Sequence, residues 1–246
     1  MKKISVSILS SKNVHKDIVK VNSSTADYLH IDVCDGKFVK NKFNPFKLLY
    51  KLYPSMNTRL DVHLMVKKPK KFINKYALLN TEYITVHLEI ERSDKYIKMI
   101  KDYGIKVGLA INPDTDESAI VPYLHDVDMI TLMSVYPGKG GQEFIDDTIK
   151  KIIKVKKLIV KEKVDVKIEV DGGVNDEVAK RLDFADVIVS GSFVTKSEDF
   201  TQSVETLRKN ADKLKTTKRT ERRKIKEENA EKKAKRPKKT KNSKEE

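Results

Sequence analysis

Eight short runs of apolar and β-branched residues recur along the chain, and this alternation constrains the fold more than any other feature. The segments between them have apolar residues at three- and four-residue spacing, as in Ser93–Tyr103, Asp146–Lys161 and Asn175–Leu182, which predicts amphipathic helices. Strands that alternate with helices pair in parallel through right-handed crossovers. The predicted strands are Ile4–Leu9, Tyr28–Val33, Leu60–Met65, Tyr83–Leu88, Lys106–Ile111, Met129–Ser134, Val166–Val170 and Asp186–Ser190.

The number of strand–helix units favours a closed barrel. Eight units in about 210 residues fit a single α/β domain of the (β/α)8 TIM barrel type, near its lower size limit. The alternative is an open doubly wound sheet, which usually has fewer strands and often a glycine-rich first turn. Ser10, Ser11 and Lys12 follow the first strand, with no glycine among them. We therefore predict a barrel in which all strands end at one mouth.

The net charge of +15 is concentrated at the C-terminal end. Residues 213–246 contain 16 Lys and Arg against 6 Glu, which leaves only +5 for residues 1–212. This segment has no aromatic residue, and Leu214 and Ile225 are its two large aliphatic residues. It cannot bury enough apolar surface to offset the entropy of ordering. We predict a barrel domain over residues 1–212 and a lysine-rich, disordered tail over residues 213–246.

Cysteine content and hydropathy limit the cellular setting. The single Cys34 excludes a disulfide framework and indicates a reducing compartment. Ile4–Leu9, after two lysines, is too short and too rich in serine for a signal peptide. No run approaches the roughly 18 apolar residues of a membrane span. We expect a cytoplasmic protein with no membrane segment.

Polar side chains lie at the predicted ends of several core strands. His30 and Asp32 share one face of the second strand. Asp61, His63 and Met65 share one face of the third strand, and His87 lies at the end of the fourth. Asp171 directly follows the seventh strand. A single strand histidine is more often a hydrogen-bonded core residue than a ligand. Several such groups at one barrel end favour a site, because buried charges need partners.

Two imidazoles and two carboxylates at the mouth suit a divalent metal ion. The mixed nitrogen and oxygen set of His30, Asp32, His63 and Asp171 fits Zn, Fe(II), Mn or Co, and does not select among them. Such an ion would polarise a carbonyl group. Asp32 and Asp171 come from the second and seventh strands, nearly opposite each other. They could therefore flank a flat intermediate and exchange protons on its two faces.

Glycines cluster in the loops after the last three predicted strands. Glycine allows backbone N–H groups to approach an anion, and the loops after strands seven and eight commonly bind phosphate in this fold. One Gly-Gly pair alone would indicate an ordinary tight turn, and the nucleotide P-loop spacing is missing. Together the loops indicate a phosphorylated small molecule. Six of the nine glycines are involved, namely Gly138, Gly140, Gly141, Gly172, Gly173 and Gly191.

Longer strings in these regions resemble the ribulose-phosphate 3-epimerases over residues 4 to 205. The order of the strings along the chain also matches the family. They are Ser7-Ile8-Leu9-Ser10, His30-Ile31-Asp32-Val33, Asp35-Gly36-Lys37-Phe38-Val39, Asp61-Val62-His63-Leu64-Met65-Val66, Thr85-Val86-His87-Leu88-Glu89, Met133-Ser134-Val135-Tyr136-Pro137-Gly138, Gly140-Gly141-Gln142-Glu143-Phe144-Ile145 and Val170-Asp171-Gly172-Gly173-Val174.

The resemblance implies a metal-dependent isomerase that interconverts D-ribulose 5-phosphate and D-xylulose 5-phosphate, a reaction of the pentose phosphate pathway. It implies His30, Asp32, His63 and Asp171 as metal ligands, and Asp32 and Asp171 as the acid/base pair. By the same analogy we expect a homo-oligomer. The implied substrate-binding residues are Ser7, His63, Met65, Met133, Gly138, Lys139, Gly140, Gly141, Asp171, Gly172, Gly173, Gly191 and Ser192.

The chain departs from the family pattern at three positions near the expected site. Cys34 stands where the family commonly has a third methionine, and this thiol could be oxidised. Tyr136 replaces a more usual Asn or Glu, and Lys139 replaces a usual Phe. Lys139 either adds charge to phosphate binding or points into solvent, which we favour slightly. None of the three is an expected ligand, so we expect activity.

Two alternatives remain open from the sequence. An epimerase of a six-carbon ketose phosphate such as D-allulose 6-phosphate would use the same motif residues. Alternatively, the barrel is a scaffold and the basic tail binds nucleic acid weakly and without sequence specificity. The tail has neither an aromatic residue for stacking nor a known binding motif, so a solvated charged segment is the better interpretation.

Overall fold

The computed structural model describes residues 1–212 and contains all eight predicted strands at nearly the predicted positions. The predicted tail, residues 213–246, lies outside the described residues. One additional two-residue strand follows the second predicted strand. The strands are β1 Lys3–Ser7, β2 Tyr28–Asp35, β3 Lys42–Phe43, β4 Arg59–Met65, β5 Thr81–His87, β6 Lys106–Ile111, β7 Met129–Met133, β8 Lys167–Asp171 and β9 Val187–Ser190.

The sheet closes on itself through β1. This strand pairs in parallel with β9 on one side and with β2 on the other, where Ser7 lies opposite His30. The order around the barrel is β1, β9, β8, β7, β6, β5, β4, β2, and the short β3 pairs antiparallel with β2. The predicted TIM barrel is therefore confirmed, and the open doubly wound sheet is wrong.

The predicted helices are present, with ends shifted by a few residues. Asn13 and Asn175 cap their helices by accepting a hydrogen bond from a backbone N–H three residues on. Between β6 and β7 the connection is a 3₁₀ segment, Glu117–Tyr123, which contains Pro122. Residues 200–212 are also helical. The other helices are α1 Val14–Asn22, α2 Phe46–Leu52, α3 Lys70–Tyr76, α4 Ser93–Asp102, α5 Thr148–Lys161, α6 Asp176–Ala179 and α7 Ser192–Thr195.

Strand residues alternate between two environments. On each barrel strand, one set of aliphatic side chains, such as Ile31 and Val33 on β2, packs in the main apolar core with the helices. The other set points into the barrel. At its base this inner set forms a separate apolar cluster of Tyr28, Tyr83, Met129 and Val187. Towards the mouth the inner set is mostly polar, with Met65 and Met133 as apolar members. The buried polar residues there are Ser5, Ser7, His30, Asp32, Asp61, His63, Thr85, His87, Thr131, Glu169 and Asp171.

Within residues 1–212, the helices are all too short or too polar to cross a lipid bilayer.

Candidate active site

The four predicted metal ligands come together at the mouth of the barrel. Their ligand atoms all lie within 4.8 Å of one another, and each side chain is buried. His63 Nδ1 lies 3.1 Å from Oδ2 of Asp171 and 3.6 Å from Oδ1 of Asp32. His30 Nε2 lies 3.6 Å and 3.7 Å from the same two oxygens. Strands β1 and β9 separate β2 from β8, so the two carboxylates approach the cluster from different sides.

Two ring nitrogens of this cluster have no hydrogen-bond partner. These are Nε2 of His30 and Nδ1 of His63, the nitrogens that face the two carboxylates. A buried polar atom without a partner is costly, so such an atom indicates a ligand. Two unpaired imidazole nitrogens beside two carboxylates form a donor set that fits a divalent cation such as Zn, Fe(II), Mn or Co.

The electrostatics of the cluster favour a cation. Burial alone would lower the pKa of His30, but the carboxylates of Asp61, Asp32 and Asp171 raise it well above its ordinary value. Burial would raise the pKa of Asp32, yet His30 and His63 hold it well below its usual range. Positive charge is thus stabilised at this position, and a metal ion would compete with protons for the two nitrogens.

The other nitrogen of the His30 ring, Nδ1, contacts Asp61, which is buried beside Glu169. His30 Nδ1 lies 2.8 Å from Oδ2 of Asp61, which also accepts a 2.7 Å hydrogen bond from Ser5. Burial and the adjacent Asp61 carboxylate raise the pKa of Glu169 well above its ordinary value. Thr131 donates a 2.8 Å hydrogen bond to Oε1 of Glu169, while Oε2 of Glu169 and Oδ1 of Asp61 are buried without a hydrogen-bond partner among the described residues. Asp61 fixes the His30 ring with Nε2 towards the cluster.

The other nitrogen of the His63 ring, Nε2, is hydrogen-bonded to a third histidine, His87. His63 Nε2 lies 2.8 Å from Nε2 of His87, and His87 Nδ1 lies 3.1 Å from Oε2 of Glu89. Burial lowers the pKa of His87 to about 4, so this ring is neutral at pH 7. Burial opposes ionisation of Glu89, but hydrogen bonds from His87, Asn112 and Thr115 lower its pKa to about 2.

A cleft above the cluster is formed by the glycine-rich loops. Gly173 has a φ of +65°, and a Cβ there would lie 2.6 Å from the backbone nitrogen of Phe144, so only glycine fits. Every predicted substrate-binding residue except His63 lines the cleft, while His63 lies fully buried beneath it. The predicted lining residues are Ser7, Met65, Met133, Gly138, Lys139, Gly140, Gly141, Asp171, Gly172, Gly173, Gly191 and Ser192.

The three departures from the family pattern occupy different positions. Cys34 is buried, and the cleft-lining residues do not include it. Lys139 is exposed to solvent and also lines the cleft. The Tyr136 hydroxyl donates to the Asp114 carboxylate, with both oxygens at 2.9 Å. His15 and His125 are exposed on the surface, away from the cleft.

Several residues around the cluster were absent from the predicted site. Asp61 and Glu169 support His30, and His87 and Glu89 support His63. The alternation of side chains placed Asp61 on the same strand face as His63 but assigned it no role. Glu169 precedes Asp171 by two residues on one strand face, and the same alternation could have identified it. Ser134, at the end of the sixth predicted strand, has a structural role. Its hydroxyl lies 2.9 Å and 2.6 Å from the carbonyl oxygens of Asp171 and Gly172, to which it donates.

Comparison with known sequences assigns the barrel to one family. The sequence model of the ribulose-phosphate 3 epimerase family matches residues 3–195. Ribulose-phosphate 3-epimerase from Helicobacter pylori is 40% identical over 210 residues, which cover 83% of this chain and 96% of that protein. The enzyme of that name from Bacillus subtilis is 36% identical over 214 residues, covering 85% and 99%.

Solved structures with the same architecture are more distant in sequence. KGPDC from Streptococcus mutans superposes with a TM-score of 0.62 at 13% identity, covering 86% of this chain and 98% of that one. For 3-hexulose-6-phosphate synthase from Salmonella typhimurium the TM-score is 0.60 at 18% identity, covering 85% and 98%. At these identities the likeness concerns the fold alone.

Proposed function

The chain belongs to the ribulose-phosphate 3-epimerase family, and we propose that it interconverts D-ribulose 5-phosphate and D-xylulose 5-phosphate by proton exchange at C3. It is an isomerase that acts on a carbohydrate phosphate. The observation that carries the proposal is the pair of ring nitrogens on His30 and His63 that make no hydrogen bond within residues 1–212 and face two carboxylates below a glycine-lined cleft.

His30, Asp32, His63 and Asp171 would hold a divalent metal ion through their clustered ligand atoms. When bound, such an ion supplies Lewis-acid chemistry that polarises the ketose carbonyl and stabilises negative charge on the enediolate oxygens. The ligand set suits Zn, Fe(II), Mn and Co alike.

Asp32 and Asp171 perform the two proton transfers. One carboxylate removes the proton from C3, and the carboxyl group on the opposite face of the planar enediolate returns a proton there, which inverts the centre. Ser7 donates a 2.7 Å hydrogen bond to Oδ2 of Asp32 and holds that carboxylate in place. The reverse reaction uses the same two groups in exchanged roles.

The rest of the cleft binds and shields the substrate. Backbone N–H groups of the glycine loops, Gly138 to Gly141, Gly172, Gly173 and Gly191, bind the phosphate together with Ser192. Lys139 adds a positive charge at the edge of the cleft. Met65 and Met133, which are 1% and 3% exposed, cover the reacting carbons and exclude water from the enediolate.

The cellular compartment, the oligomeric state and the role of the C-terminal segment are also matters of proposal. We infer a cytoplasmic protein from the single thiol of Cys34 and the metabolic family. A homo-oligomer and a division of the chain at residue 212 stay predictions. Weak contact between residues 213–246 and nucleic acid also stays a prediction, and it concerns residues outside those described.

A coupled assay on D-ribulose 5-phosphate tests the function. We expect Asp171→Asn to lower kcat by about 10²- to 10⁴-fold, the usual contribution of a positioned acid or base. The exposed Asp165→Asn serves as the matched control and should match the wild type. A chelator should abolish wild-type activity, and an added divalent ion should restore it. Full activity of Asp171→Asn would remove Asp171 from its role, and faster turnover of D-allulose 6-phosphate would favour the hexose alternative.

A further inference from the structure

Two hydrogen bonds link three side chains in a chain that runs from the cluster to the rim of the barrel. It starts at His63 Nε2, passes through the His87 ring and ends at Glu89, whose side chain is 22% exposed. We propose that His87 and Glu89 are positioning residues that fix the tautomer of His63, so that its Nδ1 presents a lone pair to the metal ion. The inference rests on the proposed function only in that this cluster binds a divalent metal.

The direction of the chain follows from the chemistry of its outer end. Glu89 Oε1 accepts a 2.7 Å hydrogen bond from the Asn112 N–H and another from the Thr115 hydroxyl. Oε2 faces His87 Nδ1, and a carboxylate can only accept, so His87 Nδ1 carries a proton. A neutral imidazole has one N–H, which leaves a lone pair on Nε2 of His87.

The inner end of the chain is then determined. His63 Nε2 lies 2.8 Å from the lone pair of His87 Nε2 and must donate to it. The neutral form of His63 therefore has its proton on Nε2 and a free lone pair on Nδ1, the atom 3.1 Å from Oδ2 of Asp171. The opposite tautomer, with a proton on Nδ1, would put N–H where the metal ion binds.

Packing holds the His87 ring in the orientation that this chain requires. The rings of His87 and His63 are nearly coplanar, with centroids 4.9 Å apart and an interplanar angle of 20°, as their in-plane hydrogen bond requires. The ring centroid of Phe38, in the loop after β2, lies 4.6 Å from that of His87. Both histidines are fully buried, so water cannot replace the hydrogen bond between them.

Glu89→Gln tests the chain at its outer end. The glutamine carbonyl should accept from Asn112 and Thr115, which turns the amide NH₂ towards His87 Nδ1. His87 Nδ1 would then have to accept, His87 Nε2 would carry the proton, and the His63 proton would move to Nδ1. We expect Zn²⁺ affinity, measured by competition with a chelator at pH 8, to fall about 10- to 100-fold, as for other residues that support metal ligands. The exposed Glu91→Gln is the matched control and should bind like the wild type.

Two substitutions of His87 separate hydrogen bonding from packing. A glutamine oxygen can accept from His63 Nε2, whereas leucine fills space without accepting. His87→Gln should keep Zn²⁺ affinity within about fivefold of the wild type, and His87→Leu should lose about 10- to 100-fold. Equal losses in the two variants, or wild-type affinity in His87→Leu and Glu89→Gln, would overturn the proposal.

The wild-type protein provides a test that needs no variant. In ¹⁵N NMR spectra of the Zn²⁺-loaded protein, His63 should show a proton on Nε2 and metal coordination at Nδ1. Coordination through Nε2 would overturn the tautomer assignment while leaving the proposed function intact. A wild-type protein that binds no Zn²⁺ and is indifferent to chelators would instead overturn both.

Discussion

Both ends of the barrel hold acidic side chains, but their partners differ. At the base, Asp27 pairs with Lys3 and Arg208, both at 2.7 Å. Glu82 at the base pairs with Lys106 at 2.6 Å and with Arg59. At the mouth, the salt-bridge partners of Asp32 and Asp171 within residues 1–212 are the imidazoles of His30 and His63.

The carboxylates at the base also complete the backbone hydrogen bonding of the sheet. Asp27, Asp128 and Asp186 each stand directly before a strand, and each accepts an N–H from the start of a neighbouring strand. The acceptor distances are 2.9 Å to Ile4, 2.8 Å to Val107 and 3.1 Å to Ile168. These acidic groups satisfy backbone donors that would otherwise lack partners.

The comparison shows which end of the barrel has polar groups that can still bind a ligand. Groups at the base are paired by residues of the chain itself, so their contribution is to stability. At the mouth, two carboxylates and two ring nitrogens remain available for a cation and a substrate. Substitution of matched aspartates at the two ends should therefore affect different quantities.

The largest expected effect is at the mouth. Asp32→Asn should lower kcat/KM for D-ribulose 5-phosphate by about 10²- to 10⁴-fold, because one of the two proposed proton-transfer groups is lost. In D₂O the wild type should incorporate deuterium at C3 of both epimers. The variant should retain exchange with only one of them, because Asp171 still serves one face. Exchange with both epimers at the wild-type rate would contradict a two-base mechanism.

The matched substitution at the base should act on stability instead. Asp27→Asn weakens hydrogen bonds with Lys3, Arg208 and the Ile4 N–H. We expect the free energy of unfolding in urea to fall by about 1–2 kcal/mol, in the range for hydrogen bonds to charged groups. The kcat/KM of the variant should stay within twofold of the wild type. Asp126→Asn, at an exposed pair with Lys101, is the control and should leave both quantities unchanged. A large loss of activity in Asp27→Asn would contradict the expectation that groups at the base contribute to stability and not to catalysis.

The stability difference between wild type and Asp27→Asn should depend on pH. Burial would raise the pKa of Asp27, but hydrogen bonds from Lys3, the Ile4 N–H and Arg208 lower it below its ordinary value of 3.8. The native state thus prefers the carboxylate, and the stabilisation is complete above the pKa of the unfolded chain. As pH falls below about 4, the difference between the two unfolding free energies should shrink. Urea titrations from pH 3 to pH 7 would measure it, and a difference that widens at low pH would have the wrong sign.

Patterns within single strands predicted much of this molecule. The aliphatic residues of the eight runs determine the barrel, and the alternation of side chains predicted that His30, Asp32 and His63 point inwards. Contacts between strands are not encoded at any fixed spacing, so the sequence did not predict that His63 rests on His87. The two-residue strand β3 was also missed, because a run so short has no periodicity.

The smallest expected effect concerns a hydrogen bond between Tyr136, next to the glycine loop that we propose binds phosphate, and Asp114 in the loop after β6. Tyr136, which is 54% exposed, donates to Asp114, and its carbonyl accepts a 2.7 Å hydrogen bond from Gln142. Because an exposed hydrogen bond contributes little, Tyr136→Phe should raise KM for the phosphorylated substrate about two- to fivefold and leave kcat unchanged. Tyr103→Phe is the matched control, since Tyr103 is 46% exposed and donates to Asn74 at 3.0 Å. If both variants raise KM equally, a general loss of surface hydrogen bonding would explain the result. A rise in Tyr136→Phe alone would support a role of this loop in phosphate binding.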